Sequence, residues 1–155
     1  MQLTFYTDYG LRTLMYLAAQ RSEQLSTISE ISDLFQIPRN HLVKIVHRLG
    51  KEGWIKTTRG KGGGISIGDN ALELRLGDIV ARLEKNKTLI DCNDPPCPLN
   101  RGCSLSSALY LAYQAFLNVL NEYTLGQVVV ESEQLLKLIT PAQQRIPSHT
   151  LSSGN

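Results

Sequence analysis

Apolar residues at Leu11, Leu14, Met15, Leu17 and Ala18, preceded by Tyr6 and Tyr9, recur at helical spacing and predict a first helix over about 7 to 21. Ser22, Glu23 and Gln24 break that pattern. A second helix is predicted to open at Thr27, because Glu30, three residues on, can reach back and complete a capping box. Ile28, Ile31, Leu34 and Phe35 supply its buried face. Gln36-Ile37-Pro38 interrupts it, and Pro38 suits the first position of a third helix, where its missing N–H has no helical partner to lose. Over that third helix Leu42, Val43, Ile45, Val46 and Leu49 form an apolar stripe. Arg39, Asn40, His41, Lys44, His47, Arg48 and Lys51 form its polar side, and Gly53 ends it.

Two short β-prone runs, Trp54 to Thr58 and Ile65 to Ile67, flank Arg59-Gly60-Lys61-Gly62-Gly63-Gly64 and read as a hairpin. Helix, short helix, turn, basic helix and basic-tipped hairpin is the order of a winged helix-turn-helix. Residues 76 to 85 predict a further short helix, and 91 to 103, with Pro95, Pro96, Pro98 and Gly102, predict a loop. Beyond it Leu105, Ala108, Leu109, Ala112, Phe116, Val119, Leu120 and Tyr123 repeat at steps of three and four across about 20 residues, or roughly 30 Å of helix. That exceeds what a small head needs, so the leftover stripe points to burial in a two-fold homodimer. Val128 to Ile139 reads as an amphipathic piece packing back on the long helix, and the tail from Pro141 as disordered.

The fold class expected is therefore mainly α with a small β-hairpin wing, a winged helix-turn-helix plus a long dimerisation helix. The expected divisions are a DNA-binding domain at 1–75, a connecting helix and cysteine loop at 76–103, a dimerisation helix and C-terminal helix at 104–140, and the tail at 141–155.

Charge sharpens this picture. Residues 1 to 68 carry nine Lys or Arg against five acids, and the remainder seven against nine. Between 38 and 61 there are seven basic residues and one acid, Glu52, which suggests a polyanionic partner. No apolar run approaches the roughly 18 residues of a membrane helix, and no export signal opens the chain, so no membrane and a cytoplasmic location are expected.

A recognition helix reads base edges from its N-terminal turn, here Arg39, Asn40 and His41. Arg can pair with guanine and Asn with adenine, while Lys44 and Arg48 are placed for phosphates or further bases. Arg59 and Lys61 on the glycine-rich tip suit a phosphate or the minor groove, with backbone at Gly60 and Gly62 to Gly64 able to approach closely. The tip lacks the order of a dinucleotide or P-loop motif. No catalytic set appears, since Ser104, Ser106 and Ser107 have no base-orienting arrangement and no paired carboxylates stand near a His.

Cys92, Cys97 and Cys103 are an odd set of three within twelve residues; the expected cytoplasmic location argues against stable disulfides, and the Asn, Asp and Pro around them against a core role. Structural zinc favours C-x2-C pairs and four ligands from one chain. The wider spacing favours an iron-sulfur cluster with a non-thiolate fourth ligand, with zinc or unmetallated redox thiols as the alternatives.

The opening Met1-Gln2-Leu3-Thr4, the stretches Thr7 to Arg12 and Arg39 to Ile45, the wing Arg59 to Ile65 and the three-cysteine loop together resemble the NsrR regulators. These are the nitric-oxide-sensing branch of the bacterial winged-helix family that also contains the iron-sulfur regulator IscR. The resemblance covers about residues 1 to 140. It implies a homodimeric repressor on a palindromic operator in double-stranded DNA, released when nitric oxide attacks the cluster. It also implies that an aspartate near the N-terminus, Asp8 here, is lent to the cluster by the other subunit. Members with a two-iron cluster carry a His three residues after the last cysteine, where this chain has Ser106, so the resemblance implies a 4Fe-4S rather than a 2Fe-2S cluster. Arg12 and Gly63 fall in the matching stretches. The expected DNA-contacting set is then Arg12, Arg39, Asn40, His41, Lys44, Arg48, Arg59, Lys61 and Gly63. The other reading left by the residues is a winged-helix regulator of iron-sulfur or redox status, with the cysteines as a thiol switch or another metal site.

Overall fold

Thr4 starts the first helix two residues ahead of the position its apolar spacing predicts. In the computed structural model, which describes residues 2–20, 24–85, 88–99, 102–130 and 137, α1 runs Phe5–Ala19. The Thr4 hydroxyl accepts the Thr7 N–H at 3.3 Å. Behind this cap the buried Glu84 carboxylate accepts the Thr4 N–H at 2.8 Å and its hydroxyl at 3.1 Å. An anion thus stands at the positive end of α1, where helix dipoles favour it.

Helix α2 spans Ile28–Phe35 and opens with the predicted capping box, Glu30 accepting the Thr27 N–H at 2.7 Å and Thr27 accepting the Glu30 N–H at 3.2 Å. Gln36 ends it in the left-handed region at φ 53°. The turn is held by Ser32, whose carbonyl accepts the Ile37 N–H at 3.0 Å and whose hydroxyl donates to the Ile37 carbonyl at 2.7 Å. Ile37 itself is buried and plugs the turn. Helix α3 is Arg39–Lys51. Pro38 is its extended N-cap rather than its first helical residue, a one-residue correction, and Gly53 follows the end at φ 74°, in the left-handed conformation a helix stop uses.

Strands β1 (Ile55–Thr58) and β2 (Gly64–Ile67) pair antiparallel, Ile55 opposite Ile67 and Thr58 opposite Gly64. On its other edge β2 pairs with Ser26, ahead of α2, through N–H to O bonds of 2.9 and 2.8 Å with Ile65. A short 3₁₀ turn (Ala71–Glu73) leads to α4 (Leu76–Leu83). The cysteine loop leads to α5 (Ser104–Leu120), which is followed by α6 (Leu125–Val130). This is the expected mostly helical fold with a hairpin wing.

Leu14, Ile31, Leu42, Ile45, Leu49, Ile79 and Leu125 are fully buried in one core, so α1, α2, α3, α4 and α6 share it. Each such side chain contributes about 1.5–3 kcal/mol relative to exposure. The packing-back expected of Val128 to Ile139 is made, for its described part, onto α1 and the 3₁₀ turn rather than onto α5. The reason is that Leu125 and Val129 complete the head's core. The rest of that piece and the 141–155 tail lie outside the described residues.

Helix α5 has 17 residues, about 25 Å of helix, and ends at Leu120, leaving Tyr123 of the predicted stripe beyond it. It buries only Tyr113 and Leu117 against Val80 of α4. Leu105, Tyr110, Leu111 and Val119 remain exposed. Contact with α4 is made backbone to backbone: a Cβ on Gly77 would stand 2.3 Å from the Leu117 carbonyl oxygen and 2.4 Å from Asn121 Oδ1. Asn121 Oδ1 accepts the Asp78 N–H at 3.0 Å, satisfying an orphan donor of the first turn of α4. Next to it the Leu76 N–H donates to Tyr123 at 3.1 Å and the Leu125 N–H to Leu74 at 2.9 Å.

Replacing Gly77 with Ala forces these two helices apart and is expected to cost about 1–3 kcal/mol, as overpacking does. At Gly50, inside α3, a Cβ meets nothing within 4 Å among the described residues, and Ala there is expected to stabilise by roughly 0.5–1 kcal/mol through helix propensity. Urea denaturation of both variants at one protein concentration checks the pair, and equal effects of the same sign would refute the close-approach account.

Candidate nucleic-acid interface and cysteine loop

The outward face of α3 is built by the burial of Leu42, Ile45, Val46 and Leu49 on the opposite side. Arg39, Asn40, His41, Lys44, His47 and Lys51 are exposed. Pro38 offers no side-chain cap, and Asn40 substitutes for one, its Oδ1 accepting the His41 N–H at 2.9 Å. That leaves the Asn40 amide NH2 and a second lone pair of Oδ1 facing outward. Val43, assigned by its spacing to the buried stripe, is instead 43% exposed. At 100° per residue it falls on the flank of the stripe, beyond the reach of the core.

Arg48, expected to contact DNA, also pairs within the chain: it meets Glu52 at 2.9 Å, and Glu52 takes Arg82 of α4 at 3.2 Å as well. The single acid of the basic segment therefore sits at the far end of α3, tying it to α4. On the wing, Lys56 pairs with Asp69. Arg59 and Lys61 are exposed at the tip and make no ion pair among the described residues. The tip turns through Gly60 at φ 103° and Gly62 at φ 82°, and the Gly63 N–H closes it on the Gly60 carbonyl at 3.0 Å. A Cβ on Gly63 would lie 2.3 Å from the Thr58 carbonyl oxygen, so this glycine is required by the hairpin itself.

Two residues expected in different sites are bonded to each other. Arg12 donates Nε–H to Asp8 Oδ1 at 2.9 Å and holds Oδ2 through its second nitrogen at 2.9 Å. The hydrogen bond to Asp8 raises the Arg12 pKa further above its ordinary value. Asp8 is not the N-cap of α1, a role Thr4 takes.

All three cysteines are free and half-exposed. The Cys97 N–H donates to the Cys92 carbonyl at 3.0 Å, closing a turn, and Asp91 Oδ1 accepts the Asn93 N–H at 2.8 Å. Cys103 is the N-cap residue of α5, and its carbonyl accepts from the Ser107 N–H at 3.2 Å and hydroxyl at 3.3 Å. This places it at the positive end of the helix dipole, where negative charge is stabilised. Among the described residues no three Cys, His, Asp or Glu side chains converge as a ligand set, so neither the cysteines nor a trio including Asp8 is drawn together within one chain. The donor chemistry nonetheless fits an iron-sulfur cluster: three unpaired thiols on one loop, none of them consumed by the core.

Sequence reasoning missed Ser26, Glu84 and the Gly77–Asn121 contact. Of these only Gly77 carried a signal, since a glycine inside a helical pattern marks a close approach. Tyr113 is a further surprise: its hydroxyl is buried without a hydrogen-bond partner among the described residues, and burial, then the nearby Glu84 charge, push the phenol pKa above its ordinary value.

Among the described residues no helix is long and apolar enough to cross a membrane. The fold is shared with solved structures at low sequence identity. CymR, the global cysteine regulator of B. subtilis, superposes with a TM-score of 0.69 at 20% identity, over 86% of this chain and 99% of that one. IscR of T. potens gives 0.67 at 20% identity, over 86% and 90%. The oxidized form of Staphylococcus aureus CymR gives 0.66 at 23%, over 83% and 96%. Residues 3–131 match the family model of Rrf2, described as an iron-dependent transcriptional regulator. With that match running from the first helix through the cysteine loop to α6, the chain belongs to the Rrf2 family of transcriptional regulators.

Proposed function

We propose that this Rrf2 regulator represses transcription as a homodimer on a palindromic operator, with an iron-sulfur cluster in each cysteine loop as sensor and nitric oxide as signal. The observation that carries this reading is the position of the three free thiols, in the one segment that joins α4 of the head to α5. Cys92, Cys97 and Cys103 would hold the cluster together with Asp8 of the partner subunit. Ser106 supplies no imidazole, which favours the four-iron form over the two-iron form. When bound, the cluster supplies iron–thiolate bonds that a small diatomic gas can attack.

The chain's own residues provide the transmission. Cys103 accepts the first hydrogen bonds of α5, so moving that residue moves the first turn of the helix. The other end of α5 is held against Gly77 of α4 and, through its own C-cap Asn121, to the Asp78 N–H. A shift at the loop therefore turns α5 about a fixed far end. A partner seated on Leu105, Leu111 and Val119 turns with it, and so does the spacing of two heads that must meet half-sites about 34–36 Å apart. Beside this face an apolar cleft of about 250 Å3, lined by Leu3, Leu11, Leu76, Val80, Phe116 and Leu120, offers further surface to a second copy. Asp8 would lend an oxygen across the dimer while its carboxylate also holds Arg12, which couples the ligand to the helix that carries both.

A second reading is favoured by the oxidized CymR neighbour: the same half-exposed cysteines would act as a thiol switch on the same pivot. Metal content separates the two. Protein purified without oxygen is expected to be brown, with iron and sulfide; material lacking both but losing DNA binding on mild oxidation supports the switch instead.

Replacing Cys92, Cys97 or Cys103 with Ser should abolish the colour and weaken operator binding about five- to 150-fold, the range of an allosteric coupling of about 1–3 kcal/mol. Full-strength binding by the colourless variants, measured by gel shift, would sink the sensor proposal. Arg39→Ala should cost about 1–3 kcal/mol on a selected operator and relax its preference at one base pair. Lys44→Ala should instead lower the slope of log affinity against log salt by about 0.9. Salt titrations of the two variants that superimpose on each other would contradict this division of roles.

A further inference from the structure

Val43 is the one large apolar side chain exposed on α3, at 43%. Arg39 lies one turn before it and His47 one turn after, and Asn40 and Lys44 adjoin it, all exposed. A β-branched residue at a solvated helix position lowers helix propensity, and this one repays that with no burial in the core. In the major groove a single apolar group is on display, the thymine C5-methyl, and apolar side chains are its usual reader. We infer that Val43 is a specificity-determining residue whose isopropyl group packs on a thymine methyl of the operator half-site, next to the bases read by Arg39 and Asn40. The inference rests on α3 being the recognition helix and adds the base type that its one apolar position selects.

The test uses the dimeric protein purified without oxygen and duplexes it enriches from a random-sequence library. In the enriched sequence each thymine is replaced in turn by deoxyuridine, which removes the methyl and nothing else. At one thymine per half-site the replacement should weaken wild-type binding about fourfold, the equivalent of one buried methylene-sized group. Val43→Ala should lose most of that difference, and Val43→Ser should bind the thymine and uracil duplexes equally. Both variants, changed at an exposed position, should keep the thermal midpoint of the parent. If no uracil position distinguishes wild type from Val43→Ser, the inference is wrong while the recognition-helix reading stands. If the wild type enriches no sequence at all, α3 is not a recognition helix and both fall.

Discussion

The close approach of α4 and α5 at Gly77 is the constraint on which the rest of the architecture depends. A backbone carbonyl occupies the space a side chain would need, and Asn121 fills the gap by serving the first turn of α4. The neighbouring segments pair on both sides of this contact, and α6 then returns to the head's core through Leu125 and Val129. The C-terminal end of α5 is thus part of the head in every physical sense. Its N-terminal end hangs on Cys103 and the loop before it, where few side chains are buried. A perturbation of the loop acts at the end of the helix with the longer lever.

Electrostatics sets two groups of cations in the head apart. Asp8, Glu52 and Asp69 bind Arg12, Arg48 with Arg82, and Lys56, of which the Glu52–Arg82 pair joins the end of α3 to α4. Arg39, Lys44, Arg59 and Lys61 have no such partners among the described residues. Exposed ion pairs contribute only about 0–1 kcal/mol, so leaving these four unpaired costs the fold little. It keeps their charge available to a polyanion, whose phosphates release counterions when neutralised.

Much of this was legible in the residues because local rules dominated. The Thr27–Glu30 capping box, the stop at Gly53 and the glycine-rich hairpin each express short-range chemistry, and all three stand where expected. The rest was not legible where a partner outside the local pattern decides. Val43 shares the spacing of the buried stripe but lies on its flank, and only the packing of α3 reveals which side the core takes. Arg48 also pairs with Glu52, which is drawn in turn to Arg82 from another helix, a contact between helices that no pattern within α3 reveals. Asp8 and Arg12 were assigned separate tasks, although their four-residue spacing on a helix already allowed the bond they make. Ser26 and Glu84 act across long stretches of chain, at Ile65 and Thr4, and no pattern within a window could pair them.

The bridge between Ser26 and Ile65 bears on how the wing responds to load. A two-stranded hairpin alone is a compliant arm, marginal in water. Here its inner strand is stitched to the residue just ahead of the Thr27 cap, so a push at the tip is delivered to the start of α2 and through the Ile37 plug to α3. Load on the tip is then shared by the whole head rather than taken up by a loose flap.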